Sequence, residues 1–371
     1  MNEFDFIVIG AGIAGASVAA HLSEKASVAV LEMEERAGYH TTGRSASSYE
    51  PNYGPEPIQI LTRLAGAFFF NPPKEFADGA LYHRRGSLFV EGPGQQAATE
   101  TYLKTAKGIT ELNSIEIVKL HPVMKPSYAK RGFYDAVTGD LDVDLLHRGY
   151  LKLFKQRGGQ VMLNAGVREL SYSDGKWTAA TSAGNFSAPV VINAAGAWGD
   201  EVAKLAGVAP IGITPKRRSI AVVPIQGYED FMRWPFVCDL GETWYAKPQS
   251  GKMLVSSADQ TPVEPHDAYA DDEAIATGIA NFMDATTIEV TRVEHSWGGL
   301  RTFSKDKVPV AGFDVKAPGF FWLVGQGGYG IQSSPALSRL AAALASRAAL
   351  PDDIAASEFK LSTILPDRFS K

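Results

Sequence analysis

The chain has little cysteine, little excess charge and no long apolar run, and each shortage closes off a class of protein. Cys238 is the one cysteine among 371 residues, so no internal disulfide and no cysteine-rich metal site is expected. A lone thiol fits a reducing cytoplasm; attachment to the inner face of a membrane through an exposed patch stays open. The formal net charge of −5 gives no electrostatic reason to expect nucleic acid or an anionic lipid surface as a partner. No stretch of about 20 apolar residues occurs, so no transmembrane segment is expected. The N-terminus carries Glu3 and Asp5 where a secretory leader would carry Lys or Arg. His40, His83, His121, His147, His266 and His295 are scattered without ligand spacing, and no metal is expected. Repeats and low-complexity stretches are also missing.

What is present begins almost at once. Phe4 to Ile9 reads as a short buried strand, Gly10-Ala11-Gly12-Ile13-Ala14-Gly15 as a turn, and Ala16 to Ser23 as a helix. A second apolar run, Val28 to Leu31, ends in Glu32. This is the strand, Gly-x-Gly-x-x-Gly, helix, strand, acid order of a dinucleotide site. Gly10 allows the tight turn, Gly12 lets a pyrophosphate approach the backbone, and Gly15 lets helix and strand pack closely. The helix N-terminus offers unpaired N–H groups to the phosphates. Glu32 can accept ribose hydroxyls and disfavours a 2′-phosphate, which leaves NAD and FAD.

The length suggests two domains, with 45% hydrophobic and 21% charged residues as in an ordinary globular chain. Residues 1–77, 139–212 and 300–371 carry βα patterns: a helix over Asp144–Gln156 stopped by Gly158-Gly159, an apolar strand Val190–Ile192 entering Asn193-Ala194-Ala195-Gly196-Ala197-Trp198, and a strand Phe320–Val324 entering Gly325-Gln326-Gly327-Gly328-Tyr329-Gly330 before a helix over Ser334–Ala349. Residues 78–138 and 213–299 instead show short alternating strands between Gly/Pro clusters, including Ser87–Val90, Ser219–Val223, Thr243–Ala246, Met253–Ser256 and Glu289–Val293. The expected fold is α/β: a Rossmann-like domain with an inserted α+β substrate domain built on an antiparallel sheet.

One dinucleotide fingerprint would suffice for NAD. Here glycine-rich turns recur after the strands near Gly10, Gly196 and Gly327, and a further one spans Gly38 to Ala46. One long cofactor threaded past all four is more economical than four unrelated loops, and that favours FAD. The helix after Gly327 would place a positive dipole end where negative charge builds on a reduced flavin. Arg218 and Arg301, beside apolar strands, are candidate clamps for a substrate carboxylate; for Arg218, flanked by Lys216 and Arg217, a plain surface position is the alternative.

The set Gly10-x-Gly12-x-x-Gly15, Gly43-Arg44-Ser45, Asn193-Ala194-Ala195-Gly196-x-Trp198 and Gly327-Gly328-Tyr329-Gly330 resembles the D-amino-acid oxidase superfamily of FAD-dependent amine oxidoreductases. Within it, Gly38 to Ala46, Asn71-Pro72-Pro73, Pro215 to Ser219, Gly299-Leu300-Arg301 and Gln326 to Gln332 are similar to the D-arginine dehydrogenase branch over nearly the whole chain. The resemblance implies FAD contacts at Gly10, Gly12, Ile13, Ala14, Gly15, Glu32, Thr42, Gly43, Arg44, Ser45, Ala46, Val167, Ala194, Ala195, Gly196, Trp198, Gly327, Gly328, Tyr329, Gly330, Ile331 and Gln332. It implies a carboxylate held by Arg218 and Arg301 with Tyr245, a covering Tyr53, and a substrate pocket at Ser48, Ser87, Phe236, Cys238, Gly328 and Tyr329. No cysteine follows Arg301 through position 318, so the flavin is expected to be non-covalent.

Two departures bear on substrate. The branch has a glutamate at position 87 that receives a guanidinium, and Ser87 stands there; it has a histidine at position 48, and Ser48 stands there. Phe236 and Cys238 stand at positions that face the side chain in the branch, and together these residues imply a substrate side chain smaller or more apolar than that of D-arginine. Glu50 or Glu242 could restore an acid, so a basic substrate is weakened as an expectation and not excluded. The expected activity is oxidation of a D-amino acid to a 2-oxo acid and ammonia through an imino acid, by hydride transfer to flavin N5. Oxygen or a quinone would reoxidise the flavin, and the oligomeric state is left open. A glycine- or sarcosine-type amine oxidase and a flavin-bearing electron-transfer subunit are the alternatives.

Overall fold

The computed structural model describes residues 2–369; residue 1 and residues 370–371, at the outer ends of the first and last expected segments, lie outside them. A six-stranded sheet forms the N-terminal and C-terminal core, in the order Gln160–Met162, Val28–Leu31, Phe6–Ile9, Val190–Asn193, Phe320–Val324, Val310–Phe313. Its first five strands are parallel and the last is antiparallel. Val28–Leu31, Phe6–Ile9 and Phe320–Val324 are apolar throughout because both faces are covered. Helices Ile13–Leu22, Val143–Gln156 and Gly330–Ala345 cover one face, packing on Phe6, Val8, Val30, Ile192 and Leu323. The other face carries Ile7, Leu31, Val191 and Trp322 against Leu170, Trp177 and Phe186, which belong to a small sheet of Glu169–Ser173, Lys176–Thr181, Gly184–Ala188 and Asn2–Glu3.

The second large sheet has nine strands and is mixed. Thr214–Val223 pairs with His295–Phe303 and with Lys252–Ser256, and the sheet continues through Tyr245–Gln249, Phe236–Asp239, Ser87–Val90, Arg131–Asp135 and Thr110–Asn113. The Phe236–Asp239 and Ser87–Val90 strands run parallel, so the expected antiparallel sheet has one parallel pair. One face packs Leu88, Val90, Ala221, Val223, Val237 and Ala246 against helix Asp272–Ala285. By the period-two alternation of strands, the neighbours Phe89, Ile220, Phe236, Cys238 and Tyr245 face the other way, toward a cavity.

Two local expectations are corrected. Glu289–Val293 forms no strand: its residues are largely exposed and find no pairing partner, so β-propensity without a half-buried surface does not hold it. The strand forms instead at His295–Phe303, where Leu300 and Phe303 are buried. The last long helix begins at Gly330, not Ser334. Ser333, Ser334 and Ser338 turn their hydroxyls back onto the carbonyls of Tyr329, Ile331 and Ser334, so their polar groups are satisfied inside the helix without competing for other partners. Its N-terminus therefore opens directly from the Gly327 turn, where φ is +56°.

The three glycines of the first turn differ in what they permit. Gly10 has φ +101°, and a Cβ on Gly15 would sit 1.9 Å from the Gly10 carbonyl oxygen. A Cβ on Gly12 would meet only Thr42 Oγ1, at 3.3 Å. Gly15→Ala should therefore cost about 1–3 kcal/mol through the forced shift of helix from strand, while Gly12→Ala should leave stability nearly unchanged. Denaturant unfolding of the two variants checks this; equal losses would contradict it.

Candidate active site

Two cavities meet in the interior, and the fold explains the lining of each. The first runs along the C-terminal ends of the parallel strands, where such sheets bind ligands. Gly10, Gly12, Ile13, Ala14, Glu32, Thr42, Ser45, Val167, Ala194, Ala195, Gly196, Trp198, Gly327, Gly328, Gly330 and Ile331 all line it. The second lies under the nine-stranded sheet and is lined by Ser48, Glu50, Tyr53, Phe89, Arg218, Phe236, Cys238, Glu242, Tyr245 and Arg301. Thr41, Ser45 and Gly328 belong to both. The wall between them is the His295–Phe303 strand, whose alternation sends Leu300 and Thr302 to the first cavity and Gly299 and Arg301 to the second.

The first cavity fits an adenine dinucleotide on its own donors and acceptors. Helix Ile13–Leu22 begins at Gly12 with no side-chain cap. Thr42 Oγ1 accepts from Ile13 N–H at 2.9 Å, whereas no partner is recorded among the described residues for the N–H groups of Gly12 and Ala14. Those orphan donors suit phosphate oxygens. Buried Glu32 accepts from Ala11 N–H at 2.8 Å through one oxygen and from Glu34 N–H at 3.0 Å through the other. Each oxygen keeps a lone pair for a ribose hydroxyl. At the far end, the uncapped N-terminus of Gly330–Ala345 faces the junction of the two cavities.

Several expected cofactor contacts sit elsewhere. Gly15 packs on Gly10, and Gly43 packs on the Gly38 carbonyl, its own N–H donating there at 2.9 Å. Both shape the turns from behind. Arg44 and Ala46 border the second cavity only. The Arg44 guanidinium turns away to the Ala268 carbonyl, at 2.6 Å, and to Asp267. Gln332 also borders the second cavity. Tyr329 lines neither, because its ring packs with Ile58, Phe303 and Tyr53, 5.1 Å from the Tyr53 ring.

The second cavity has guanidinium groups at one end and a buried carboxyl at the other. Arg218 is anchored by donating from Nε to the Asp259 carbonyl at 3.0 Å and from Nη2 to the Ala258 carbonyl at 2.9 Å. Its guanidinium lies 5.5 Å from the Tyr245 ring centre. Arg301 donates from Nη1 to Tyr53 Oη at 3.4 Å, while its Nε and Nη2 are buried with no partner. Unpaired buried donors on a cation are costly, so this guanidinium is built for an anion that arrives from outside. Burial holds the Tyr53 phenol above its ordinary value, which keeps it a hydrogen-bond donor. The segment bearing Tyr53 is pinned after it by Gln59 Nε2, which donates to the Gly54 carbonyl at 3.0 Å, and before it at two residues. Glu50 N–H donates to Gln332 at 3.0 Å, and Asn52 Nδ2 donates to Asp135 at 2.8 Å and to the Lys107 carbonyl at 2.9 Å.

At the opposite end, Ser87 Oγ donates to Glu50 Oε1 at 2.6 Å. Burial pushes the Glu50 carboxyl up to about 8, against the pull of the Ser87 hydroxyl in the other direction. Behind it, the ammonium of buried Lys247 donates to the Ala46 carbonyl at 2.9 Å and lies 3.1 Å from Asp140. This fixes the loop that borders both cavities. Phe89, Ile220 and Ala258 also line the pocket, and the sequence reading missed them. For Phe89 and Ile220 the signal was present as alternation in Ser87–Val90 and Thr214–Val223, which marks one face of each strand; Ala258 lies in the loop after Lys252–Ser256 and carried no such signal.

Because the folded-state pKa of Glu50 is raised from its ordinary 4.5 to about 8, the stability it contributes is full below about pH 4.5 and is lost as pH rises through about 8. Glu50→Gln keeps the Ser87 hydrogen bond and removes the titration. The melting temperature of the variant relative to the parent should rise by ~3 °C or more between pH 5 and pH 9. Parallel thermal melts at the two pH values read this out; a constant difference would contradict it.

The family description "FAD dependent oxidoreductase" (DAO) matches residues 5–344. An uncharacterized oxidoreductase of Bacillus subtilis, YurR, is 26% identical over 363 residues, 90% of this chain and 92% of that protein. Glycine oxidase of Geobacillus kaustophilus is 29% identical over 186 residues, 47% of this chain and 45% of its own. Its crystal structure superposes with a TM-score of 0.85 at 18% identity, covering 99% of both chains. L-proline dehydrogenase from P. horikoshii gives 0.84 at 17% identity over 100% of this chain and 98% of that one. No helix among the described residues is long and apolar enough to cross a membrane. With a family match spanning nearly the whole sequence and a first cavity whose donors suit the cofactor, the chain belongs to the DAO family of FAD-dependent oxidoreductases.

Proposed function

We propose that the protein oxidises the Cα–N bond of a D-amino acid, giving a 2-oxo acid and ammonia through the imino acid. The observation that carries this reading is the buried Arg301 guanidinium, with Nε and Nη2 unpartnered, placed with Arg218 across one strand from the FAD cavity. A planar guanidinium fork matches a carboxylate bidentately. Arg218, held by two backbone carbonyls, contributes charge from the side, and Tyr245 supports it. Tyr53, hydrogen-bonded to Arg301, closes over the ligand and limits water. The carboxylate so held lies in a cavity that meets the first one at Gly328 and Ser45, the border toward which Cα would turn. FAD, when bound non-covalently there, supplies the acceptor for the hydride that leaves Cα. The substrate also gives up the amine proton, and water then hydrolyses the imine to the 2-oxo acid and ammonia. The D-configuration rests on the similarity of the Gly38–Ala46, Pro215–Ser219 and Gln326–Gln332 segments to D-amino-acid dehydrogenases.

Glycine or a secondary amine such as sarcosine is the second reading. It is favoured by the likeness to glycine oxidase and to human sarcosine dehydrogenase, 23% identical over 338 residues; the same carboxylate clamp would serve it. Turnover of D- and L-amino-acid panels, glycine and sarcosine with a dye acceptor separates the two. Activity on D-forms above all others supports the first reading; activity on glycine or sarcosine alone, or on L-forms alone, overturns it. Arg301→Ala should lower kcat/KM by about 10²–10³-fold, the size expected for one partner of a buried charged pair, with flavin content unchanged. Loss of flavin would instead give Arg301 a cofactor role.

A further inference from the structure

The second cavity has a shape the carboxylate clamp does not explain. It runs across the sheet, and its charge changes sign along the way. The Arg218 guanidinium lies over Tyr245, and Tyr245 faces Phe236, with ring centres 5.5 Å apart. Phe236 pairs in register with Ser87 on the next strand, and Ser87 holds Glu50. From Tyr245–Gln249 to Ser87–Val90 is two strand spacings, about 10 Å. An apolar collar of Phe89, Phe236 and Cys238 lines the passage. At its end Glu50 Oε1 takes the Ser87 hydroxyl, and no hydrogen-bond partner is recorded for Oε2 among the described residues. The cavity therefore offers a cationic end, an apolar middle and an acidic end.

Resting on the carboxylate clamp of the proposed function, we propose that Glu50 is the specificity-determining residue for a substrate side chain that ends in a cation, an ammonium or a guanidinium carried on a chain of about four or five atoms. Such a molecule would set its carboxylate on Arg301 and Arg218 and its cation on Glu50 Oε2, since all three residues line the one cavity. The apolar collar covers the methylene stem. The charged groups around Glu50 are Lys247, Asp135 and Asp140. Lys247 is committed to Asp140 and to the Ala46 carbonyl, and Asp135 to Asn52. None of the three lines the cavity, so Glu50 alone presents an acid at that end. Glu242 also lines the cavity, but it is exposed and reaches it from the loop between the Phe236–Asp239 and Tyr245–Gln249 strands, where a cation would stay hydrated.

The test does not need turnover. Hexanoate and 6-aminohexanoate carry the carboxylate and differ in the terminal ammonium, and neither has an α-amine to oxidise. Each is titrated into the FAD-loaded enzyme at pH 9, where Glu50, raised to about 8, is ionised and the terminal amine is still an ammonium, and the flavin absorbance change gives Kd. Aminohexanoate should bind at least tenfold tighter than hexanoate, and Glu50→Gln should erase that preference while leaving hexanoate affinity and flavin content unchanged. Equal or tighter binding of hexanoate by the parent enzyme overturns the proposal and leaves the clamp intact. A preference that survives Glu50→Gln, or that is lost with Glu242→Gln instead, also overturns it. Failure of both ligands to bind overturns the proposal together with the clamp. The kcat/KM ratio of D-lysine to D-norleucine should move in the same direction as the two Kd values.

Discussion

A single β-strand separates the two cavities, and the alternation of its side chains is the constraint on which the site depends. Residues two apart on a strand share a face, and neighbours face opposite ways. In His295–Phe303 this sends Leu300 and Thr302 toward the dinucleotide cavity and Gly299 and Arg301 toward the other. Register is what makes the arrangement hold. Arg301 pairs with Lys216 and Gly299 with Arg218 in the adjacent Thr214–Val223 strand, so the two arginines come from neighbouring strands in one ladder. A one-residue slip would turn Arg301 into the cofactor cavity. The long ladder between these strands, and the Thr41 hydroxyl donating to the Leu300 carbonyl at 2.6 Å, resist that slip.

The same wall explains how a buried cation is tolerated. Arg218 has its donors partly met by the carbonyls of Ala258 and Asp259. Asp259 Oδ1 also lies 4.0 Å from Arg218 Nε, whereas Arg301 keeps two buried nitrogens without a partner. Stability alone would favour pairing or removing such a group. Keeping it open makes sense when a carboxylate ligand completes it. At the other end Glu50 shows the complementary state, a buried acid raised toward neutrality by burial. The cavity thus carries an uncompensated cation at one end and a buried carboxyl that burial holds protonated at the other, and a ligand with a carboxylate and a distant cation would complete both.

How much of this was legible in the sequence depended on how local the cause was. The turn at Gly10, Gly12 and Gly15 and the acid at Glu32 were readable because strand, turn and helix are consecutive and each glycine has its own steric reason. The glycine-rich turns at Gly196 and Gly327, which line the first cavity, were readable because each ends an apolar strand. The placement of Gly15, Gly43, Arg44 and Tyr329 was not, since it depends on which side of a turn meets the cavity. The contact of Ser87 with Glu50 joins residues 37 apart through strands that pair only in the folded chain, and residue types could offer Glu50 and Glu242 only as equals. Glu289–Val293 looked like a strand by composition and lacked a partner; the true strand, a few residues on, contains two adjacent glycines and reads poorly by propensity.

A crystal structure of the FAD-loaded enzyme with a simple carboxylate bound tests the central claim most directly. The flavin ring is predicted to reach the border formed by Gly328, Ser45 and Thr41, on the Leu300 and Thr302 side of the wall, with the carboxylate within hydrogen-bond distance of Arg301 Nε and Nη2. Arg301 bonded to the cofactor itself, or a carboxylate seated away from both arginines, would contradict it.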